Sequence, residues 1–487
     1  MAGRLLLLLV ALIGLASCED GPAMPSPYET IVVGLGSSGV TAAATLARAG
    51  RRVLGLDGQD HIGGRVYTRQ FADGIVEVGA EWIHGERPSR VFDAAVANNI
   101  SIVRDNFTME VYRSDGSKAD EKMFEDLLTN TVDTEDKEDH SGQTVGQVVI
   151  DRLNTYIKDH HPELMNDTDT INPILLFLNL AVGNLEASND WHDVTAHSEY
   201  EPLEGHQHWS WHRYGYKTFF DIMLNKYNNG PGLPHLDLKL NTEVTNISWP
   251  QDPKAHVEVT CKDGTVYKTN NVIYTGSVGV LKERHESLFS PPLPQEKIDA
   301  IQTVPMGVVG KVILSFEEAW WPHNRSFFAF VWRGEDLRAV PERDLWSTRV
   351  YSASRPMGSS NALTFWVCGD TAKQVEVMEE DVVKSQLMGL LQRFMGKEYT
   401  IPEPNGMLRS GWHGNPLTRG SYTYDSPAME RAPLARRRLG EPLADAAGRP
   451  RVLFAGEATN PKHFSTVHGA AETGYREAMR LLPNSKV

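Results

Sequence analysis

The chain has 487 residues, of which 41% are hydrophobic and 23% charged, as in ordinary soluble globular proteins, and it is too long for one compact core. Its formal net charge of −15 argues against a general nucleic-acid binder, which needs a basic face, so we expect no nucleic-acid partner. The acidity is compatible with attracting a cationic substrate or with solubility alone, because net charge does not say where the charges lie.

The first 18 residues predict a secretory signal peptide. Arg4 precedes an apolar run over residues 5–16, and small residues then precede Glu19 and Asp20. The run is shorter than the about 20 apolar residues that span a bilayer, and no later stretch qualifies, so we expect no membrane span. The sequence therefore predicts a secreted protein, with lipidation of Cys18 in a bacterial lipoprotein box as the alternative.

Glycosylation sites and cysteines bear on the same compartment. Five tripeptides match the N-glycosylation pattern, although each also occurs by chance; they begin at Asn99, Asn106, Asn166, Asn246 and Asn324. Besides Cys18 the chain has Cys261 and Cys368, which either pair or are buried thiols. Their spacing is not that of a metal site, so we expect no metal.

The first predicted elements form a βαβ unit around a glycine-rich turn. A strand at Thr30–Val33 runs into the turn, an alanine-rich helix follows over about residues 38–49, and a second strand at 53–56 ends on Asp57. The turn contains Gly34, Gly36, Ser38 and Gly39. In such turns the first glycine permits the sharp bend, the second lets the backbone approach a pyrophosphate, and the third lets helix and strand pack closely.

This unit predicts a dinucleotide site. The helix that begins near Ser38 offers free N–H groups and a positive dipole end to phosphates. Asp57 lies 18 residues after Gly39, where a carboxylate accepts ribose hydroxyls. The alternative is a glycine-rich turn in an unrelated α/β fold.

The remaining elements predict an α/β fold (an α+β arrangement of two domains). Residues 105–200 are polar, acidic and helical in pattern; strand patterns return at 236–240, 257–261, 271–274, 310–316, 362–367 and 452–455, with helices at about 381–395 and 470–482. We expect a discontinuous Rossmann-like domain from residues 28–104, 236–300 and 406–483. Residues 105–235 and 301–405 form an inserted substrate-binding domain of mixed sheet and helices.

Two motifs after Asp57 resemble the flavin amine oxidase family, which includes monoamine and polyamine oxidases. They are DHIGGR, which ends with Gly64 and Arg65, and GAEW, which comprises Gly79, Ala80, Glu81 and Trp82. The resemblance implies that the first motif wraps the phosphates of FAD, with a charge-assisted bond from Arg65. The second motif lies against the flavin.

The C-terminal region resembles the closing FAD segment of the same family. The resemblance implies that Glu457, after Gly456, holds ribityl or ribose hydroxyls. The helix that opens at Thr466 and Val467 then points its positive end at the flavin pyrimidine.

Two middle segments and the cysteines complete the predicted FAD site. Val244 matches a valine whose backbone contacts adenine, with a plain strand residue as the alternative. The segment 275–281 matches a turn in which the family has Pro in place of Ser277. The FAD of monoamine oxidases is held by a cysteine in the C-terminal region; since no cysteine follows Cys368, we expect noncovalent FAD.

Lys311 is the leading candidate for chemistry, because a lysine is costly to bury in an apolar strand. The family has a lysine here that bonds a water at flavin N5 and assists reoxidation by oxygen; the alternative is a strand-edge lysine with its head in solvent. The resemblance also places Trp412 and Tyr422 as aromatic walls, where an amine gains cation–π attraction.

The segment WIHG, with Trp82 and His84, resembles animal polyamine oxidases in particular. It implies that His84 hydrogen-bonds a substrate nitrogen, and its titration near neutral pH suits a pH-sensitive role. Glu81, Trp82, Tyr422 and Thr466 are the remaining predicted substrate contacts.

The predicted function is FAD-dependent oxidation of spermine, spermidine or an acetylated form. A hydride moves to flavin N5, and an aldehyde, an amine and hydrogen peroxide are released, with oxygen as acceptor. The alternatives are an L-amino-acid or monoamine oxidase of the same fold, and a non-catalytic secreted flavin-binding protein.

Overall fold

A computed structural model describes residues 28–132 and 138–483; the predicted signal peptide and Cys18 lie outside the described residues. The strands are β1 (Thr30–Val33), β2 (Val53–Leu56), β3 (Thr68–Phe71), β4 (Gly74–Glu77), β5 (Trp82–Ile83), β6 (Val103–Arg104), β7 (Met109–Arg113), β8 (Trp209–Ser210), β9 (Leu236–Lys239), β10 (Val244–Ser248), β11 (Val257–Cys261), β12 (Val266–Thr269), β13 (Asn271–Tyr274), β14 (Phe289–Ser290), β15 (Val309–Ser315), β16 (Phe327–Val331), β17 (Ser352–Ser354), β18 (Ala362–Cys368), β19 (Gly406–Arg409), β20 (Leu443–Ala444) and β21 (Pro450–Phe454). The α-helices are α1 (Ser37–Arg48), α2 (Arg90–Ala97), α3 (Glu121–Leu127), α4 (Val145–His160), α5 (Thr168–Glu186), α6 (Lys217–Met223), α7 (Val278–Leu288), α8 (Gln295–Thr303), α9 (Gly334–Arg338), α10 (Gly369–Val377), α11 (Glu380–Met395), α12 (Pro427–Glu430), α13 (Ala435–Gly440) and α14 (Val467–Arg480).

The nucleotide side is a six-stranded sheet in the order β20-β21-β13-β1-β2-β9. It is parallel apart from the edge strand β20. All four residues of β1 and of β2 are buried, as expected for parallel strands covered on both faces. The Ser37 hydroxyl at the start of α1 donates to the Val467 carbonyl at 3.0 Å, which brings the N-termini of α1 and α14 together.

The second large sheet has the order β19-β15-β18-β17-β16-β7 and is antiparallel except for the β16–β7 pair. Every residue of β15 is buried, including Lys311, which lies opposite Trp366 of β18. Together the two sheets confirm the predicted α/β fold class with a second, mixed region.

One structural expectation for residues 105–200 is wrong. Helices α3, α4 and α5 lie there as expected, but Met109–Arg113 forms β7. This strand pairs with β16, which begins only at Phe327, so a pairing between distant segments overrides the helical local pattern.

The predicted domain boundaries stay a prediction, with one correction at residue 406. Strand β19 pairs with β15 of the second sheet, and Arg409 lies opposite Val312, so this segment belongs with the inserted region. Cys261 and Cys368 end strands of different sheets, and both are free and buried. No helix in the described ranges has both the length and the apolarity to cross a membrane.

Candidate functional site

A cavity of about 810 Å³ brings the sequence-predicted residues together. It is lined by Gly34, Gly36, Ser38, Asp57, Gly64, Arg65, Gly79, Ala80, Glu81, Trp82, His84, Val244, Lys311, Trp412, Tyr422, Gly456, Glu457, Thr466 and Val467. Gly39 is the exception, since it lies behind the wall. Residues from both large sheets therefore face one continuous space.

The glycines of the first turn serve different purposes. Gly34 has φ of +93°, and a Cβ on Gly39 would lie 1.9 Å from the Gly34 carbonyl oxygen, so these two are required for backbone geometry and packing. A Cβ on Gly36 would meet only the Gly63 carbonyl group, with its oxygen at 3.6 Å, an ordinary contact. Packing therefore tolerates a side chain at position 36. A glycine there keeps the adjoining space of the cavity open.

The start of α1 fits the phosphates of a dinucleotide. Gly36 is its N-cap and supplies no side-chain hydrogen bond, which leaves the first N–H groups for a ligand. The Ser38 hydroxyl faces the same cavity and is buried without a partner among the described residues. A phosphate oxygen satisfies both kinds of donor, so the residues present fit the group that the turn predicts.

Asp57 follows directly after β2 and lines the cavity. Its Oδ2 accepts from the Leu35 N–H at 2.6 Å, and its Oδ1 accepts from the Gln59 N–H at 2.8 Å. Burial raises the pKa of Asp57, and these two backbone bonds partly oppose the rise. Each oxygen keeps a second lone pair, which can accept a hydrogen bond from a ribose hydroxyl.

Glu457 and Arg65 form an ion pair with each other. The sequence had suggested instead that each of them contacts FAD independently. Arg65 Nη1 donates to Glu457 Oε1 at 2.9 Å and to the Ser421 carbonyl at 2.8 Å. Glu457 Oε2 accepts from Thr423 Oγ1 at 2.7 Å and from the Ser465 N–H at 3.0 Å. Burial raises the pKa of Glu457, but the charge of Arg65 and the Thr423 bond outweigh it, and the net pKa is lowered. The pair joins the two ends of the chain at the cavity wall.

Lys311 is buried and paired, contrary to the alternative of a solvent-exposed head. Its Nζ donates to Glu81 Oε2 at 2.7 Å and to the Glu77 carbonyl at 2.9 Å. It also lies 4.4 Å from the centre of the Trp366 ring. Glu81 is therefore the counter-ion of Lys311, and its carboxylate is turned away from solvent.

His84 is part of a cluster with His208, and the two ring centres are 5.8 Å apart. Burial lowers the pKa of His84, and a backbone hydrogen bond at Gln207 only partly opposes this. Burial and the charges of His84 and His206 lower the pKa of His208 to about 4. Burial therefore favours the neutral form of both rings and works against a titration of His84 near neutral pH, because desolvation disfavours its charged form.

Aromatic rings form the walls beside Lys311. Trp82 stacks on Trp366 with ring centres 5.7 Å apart and an interplanar angle of 15°. Tyr422 lines the cavity, and its hydroxyl donates to the Asn184 carbonyl of α5 at 2.9 Å. The Thr466 hydroxyl donates to the His463 carbonyl and accepts from the Gly469 N–H, and the second of these bonds caps α14. Trp366 escaped prediction because no sequence motif surrounds it.

Sequence reasoning also missed the C-terminal end of α5. Glu186, its last residue, lines the cavity and accepts no hydrogen bond from the described residues. Burial and the charge of Asp425 raise the pKa of Glu186 to about 7, although Arg436 opposes them. Two residues earlier in α5, Asn184 Oδ1 is buried without a partner in the described ranges. Nothing in the local sequence distinguishes this glutamate from the many surface ones.

Charge pairing singles out Glu186. The lining contains five carboxylates and three permanent cations, which are Asp57, Glu81, Glu186, Glu243 and Glu457, and Arg65, Arg284 and Lys311. All three cations are engaged, by Glu457, Glu243 and Glu81 respectively. Asp57 accepts two backbone bonds, which leaves Glu186 as the carboxylate in the described lining with neither a cation nor a hydrogen bond. No cluster of three or more His, Cys, Asp or Glu able to hold a metal occurs in residues 28–132 and 138–483.

Comparison with known proteins agrees with this geometry. Residues 37–482 match the family described as flavin containing amine oxidoreductase. The chain is 30% identical to a peroxisomal N(1)-acetyl-spermine/spermidine oxidase of Homo sapiens, over 94% of this chain and 95% of the relative. The Bos taurus protein of that name is 29% identical, over 93% and 94%. A probable polyamine oxidase 5 of Arabidopsis thaliana is 27% identical, over 95% and 99%.

These relatives contradict the predicted secretion. The human and bovine proteins match this chain over nearly its whole length, and both are named as peroxisomal enzymes. The apolar N-terminal run on which the prediction rested lies outside the described residues. The expectation of glycosylation depended on the same route and loses its support.

Proposed function

Because this chain belongs to the flavin containing amine oxidoreductase family and its cavity carries an unpaired carboxylate, we propose that it oxidises a polyamine, with oxygen as acceptor. The proposed substrates are spermine, spermidine or an acetylated form. FAD is the cofactor, and the lining residues described above fit it. The names of the human and Arabidopsis relatives support this substrate class.

Glu186 is the observation that carries the proposal. A polyamine presents one nitrogen to the reaction centre and at least one further polar or charged nitrogen to the rest of the cavity. The carboxylate of Glu186 and the unpartnered Oδ1 of Asn184 are acceptors suited to that second nitrogen. Both lie at the C-terminal end of α5, where the helix dipole adds partial negative charge.

Other residues of the lining suit the reacting nitrogen. FAD, held by the glycine turn, Asp57, Arg65 and Glu457, would supply an acceptor for a hydride equivalent from the substrate and would pass the two electrons to oxygen, giving hydrogen peroxide. The ring of His84, whose neutral form is favoured by burial, offers a hydrogen bond to the substrate amine, which must be neutral when its neighbouring carbon loses hydride. Trp82 and Tyr422 provide aromatic faces for the chain of the amine. The imine then hydrolyses to an aldehyde and a shorter amine.

Lys311 is proposed to act beside this centre. Glu81 and the Glu77 carbonyl hold two of its three ammonium protons, and the third remains for a bond toward the cavity. A fixed positive charge in a buried wall stabilises negative charge that develops on oxygen during its reduction.

The arginine positions disfavour an L-amino-acid oxidase. Such an enzyme needs a free guanidinium to hold the substrate carboxylate. The two arginines in the described cavity lining, Arg65 and Arg284, are each paired with a glutamate.

The experiment is a hydrogen peroxide assay on the purified FAD-loaded protein with spermine, spermidine, N1-acetylspermine, tyramine and L-phenylalanine. We expect turnover of one or more of the three polyamine compounds, and no peroxide from any of these three refutes the proposal. Glu186→Gln is expected to raise KM for spermine by at least about tenfold, as one charged hydrogen bond implies, with less effect on the one-amine tyramine. Glu163→Gln, with its side chain 68% exposed, is the matched control and should leave both values unchanged.

A further inference from the structure

Arg436 lies behind the cavity wall and is 2% exposed, with no place in the function proposed above. It belongs to the short helix α13. Its Nε and Nη2 donate to Asp425 Oδ1 at 3.1 and 2.9 Å, and its Nη1 donates to Thr423 Oγ1 at 2.8 Å. The guanidinium carbon lies 3.7 Å from the centre of the Phe464 ring. One buried cation thus touches three neighbours that each lead to the cavity.

The first branch leads to the FAD side through Thr423. A guanidinium only donates, so the Thr423 hydroxyl must accept from Arg436 and has its single proton free for Glu457 Oε2, 2.7 Å away. Arg436 therefore sets the direction of this hydroxyl. Its charge also contributes, after Arg65 and the Thr423 bond, to lowering the pKa of Glu457 against the effect of burial.

The second branch leads to the substrate side. Phe464 lines the cavity and meets Tyr200 edge to face, with ring centres 5.4 Å apart. Asp425, held by Arg436, accepts from the Ser198 hydroxyl through Oδ2 at 2.9 Å. Tyr200 and Ser198 line the cavity as well. The same ion pair therefore supports a part of the cavity wall, and both of its charges also act on Glu186.

Folding by itself gives little reason for this arrangement. Removing two charges from water offsets most of their attraction, and well-packed apolar residues often replace a buried ion pair without loss of stability. What an apolar pair cannot supply is a directed proton on Thr423 and a fixed acceptor for Ser198.

We propose that Arg436 is a positioning residue that orients Glu457 on the FAD side and the Phe464–Ser198 wall on the substrate side of one cavity. The substrate half rests on the proposed polyamine oxidation. The FAD half does not, because it concerns only the affinity of the apoprotein for FAD.

The test compares Arg436→Gln/Asp425→Asn with the wild type. The double change avoids leaving one buried charge alone. FAD is removed, and its rebinding is followed by quenching of flavin fluorescence. We expect the Kd for FAD to rise by at least about tenfold, the factor of one charge-assisted hydrogen bond, and KM for spermine to rise while kcat changes less than about threefold.

Thr423→Val tests the relay alone, since it removes the hydroxyl and keeps the shape and the Arg436–Asp425 pair. It should reproduce the loss of FAD affinity and leave KM for spermine within about twofold of the wild type. It also keeps the proposal falsifiable if the double variant does not fold.

The control is Arg449→Gln/Asp445→Asn, which removes another ion pair of the C-terminal region whose carboxylate is buried. It should bind FAD as the wild type does. Wild-type FAD affinity in folded Arg436→Gln/Asp425→Asn or in Thr423→Val overturns the proposal. If the wild type binds FAD but oxidises no amine, polyamine oxidation fails while the role of Arg436 on the FAD side is still decided by these affinities.

Discussion

The pair formed by Lys311 and Glu81 allows a quantitative prediction. Its atoms are 2.7 Å apart, and the two side chains are only 4% and 6% exposed. At that distance and an effective dielectric constant of about 20, their attraction is about 6 kcal/mol. Desolvation costs several kcal/mol for each ion, so the net contribution of the pair to stability is small.

Removing one partner is therefore expected to be far worse than removing both. Lys311→Met leaves the Glu81 carboxylate buried without a counter-ion. Glu81→Gln likewise leaves the Lys311 ammonium buried without a counter-ion. Each single change should destabilise by about 3–5 kcal/mol, whereas Lys311→Met/Glu81→Gln should lie within about 1–2 kcal/mol of the wild type.

The assay is thermal unfolding of all four proteins at one saturating FAD concentration, because bound ligand shifts the apparent stability. Lys122→Met/Asp126→Asn, which removes an exposed pair within α3, is the control and should show no measurable coupling. A double variant destabilised by the sum of the two single effects would refute the reasoning, since it would mean that neither charge depends on the other.

The same variants separate stability from chemistry. Stopped-flow mixing of substrate-reduced enzyme with oxygen should show reoxidation slowed by at least about tenfold in Lys311→Met and equally in the double variant, because both lack the charge near the cavity. Reoxidation at the wild-type rate in Lys311→Met would refute its proposed role.

Three further predictions concern the cavity. The pKa of Glu186 is raised to about 7, so its carboxyl is neutral below that pH and ionised above it; kcat/KM for spermine should rise through pH 7, and Glu186→Gln should remove that limb of the profile. Gly36→Ala should melt near the wild-type temperature but retain less FAD after gel filtration, whereas Gly39→Ala, whose Cβ meets a carbonyl oxygen at 1.9 Å, should fail to fold. Tyr422→Phe loses the bond to α5 but keeps its ring, so KM for spermine should rise about three- to tenfold with kcat nearly unchanged, as steady-state kinetics will show.

The FAD half of the site was largely predictable from the sequence. Its parts are local: β1, the glycine turn, the start of α1 and Asp57 follow one another within a short stretch, and the steric demands on Gly34 and Gly39 act between neighbours. The closing segment around Glu457 was recognisable for the same reason. What stayed hidden was that Glu457 and Arg65 bond each other, since that depends on how two distant segments meet.

The substrate half was predicted less well. The positions of Lys311 and His84 were identified from the sequence. Whether the Lys311 ammonium is exposed, and in which direction the pKa of His84 is shifted, depends on surroundings that no motif encodes. Glu186 and Trp366 were missed because their neighbours in sequence resemble any helix end and any strand.

The amino-acid sequence by itself determined the backbone of the nucleotide site and the family, because glycine sterics and strand-to-helix turns are interactions between residues close along the chain. The tertiary structure decided which charges are paired. Coulomb attraction and desolvation depend on distance and burial in space, and only the folded chain brings Glu81 to Lys311 and Arg436 to Asp425 while leaving Glu186 without a cation.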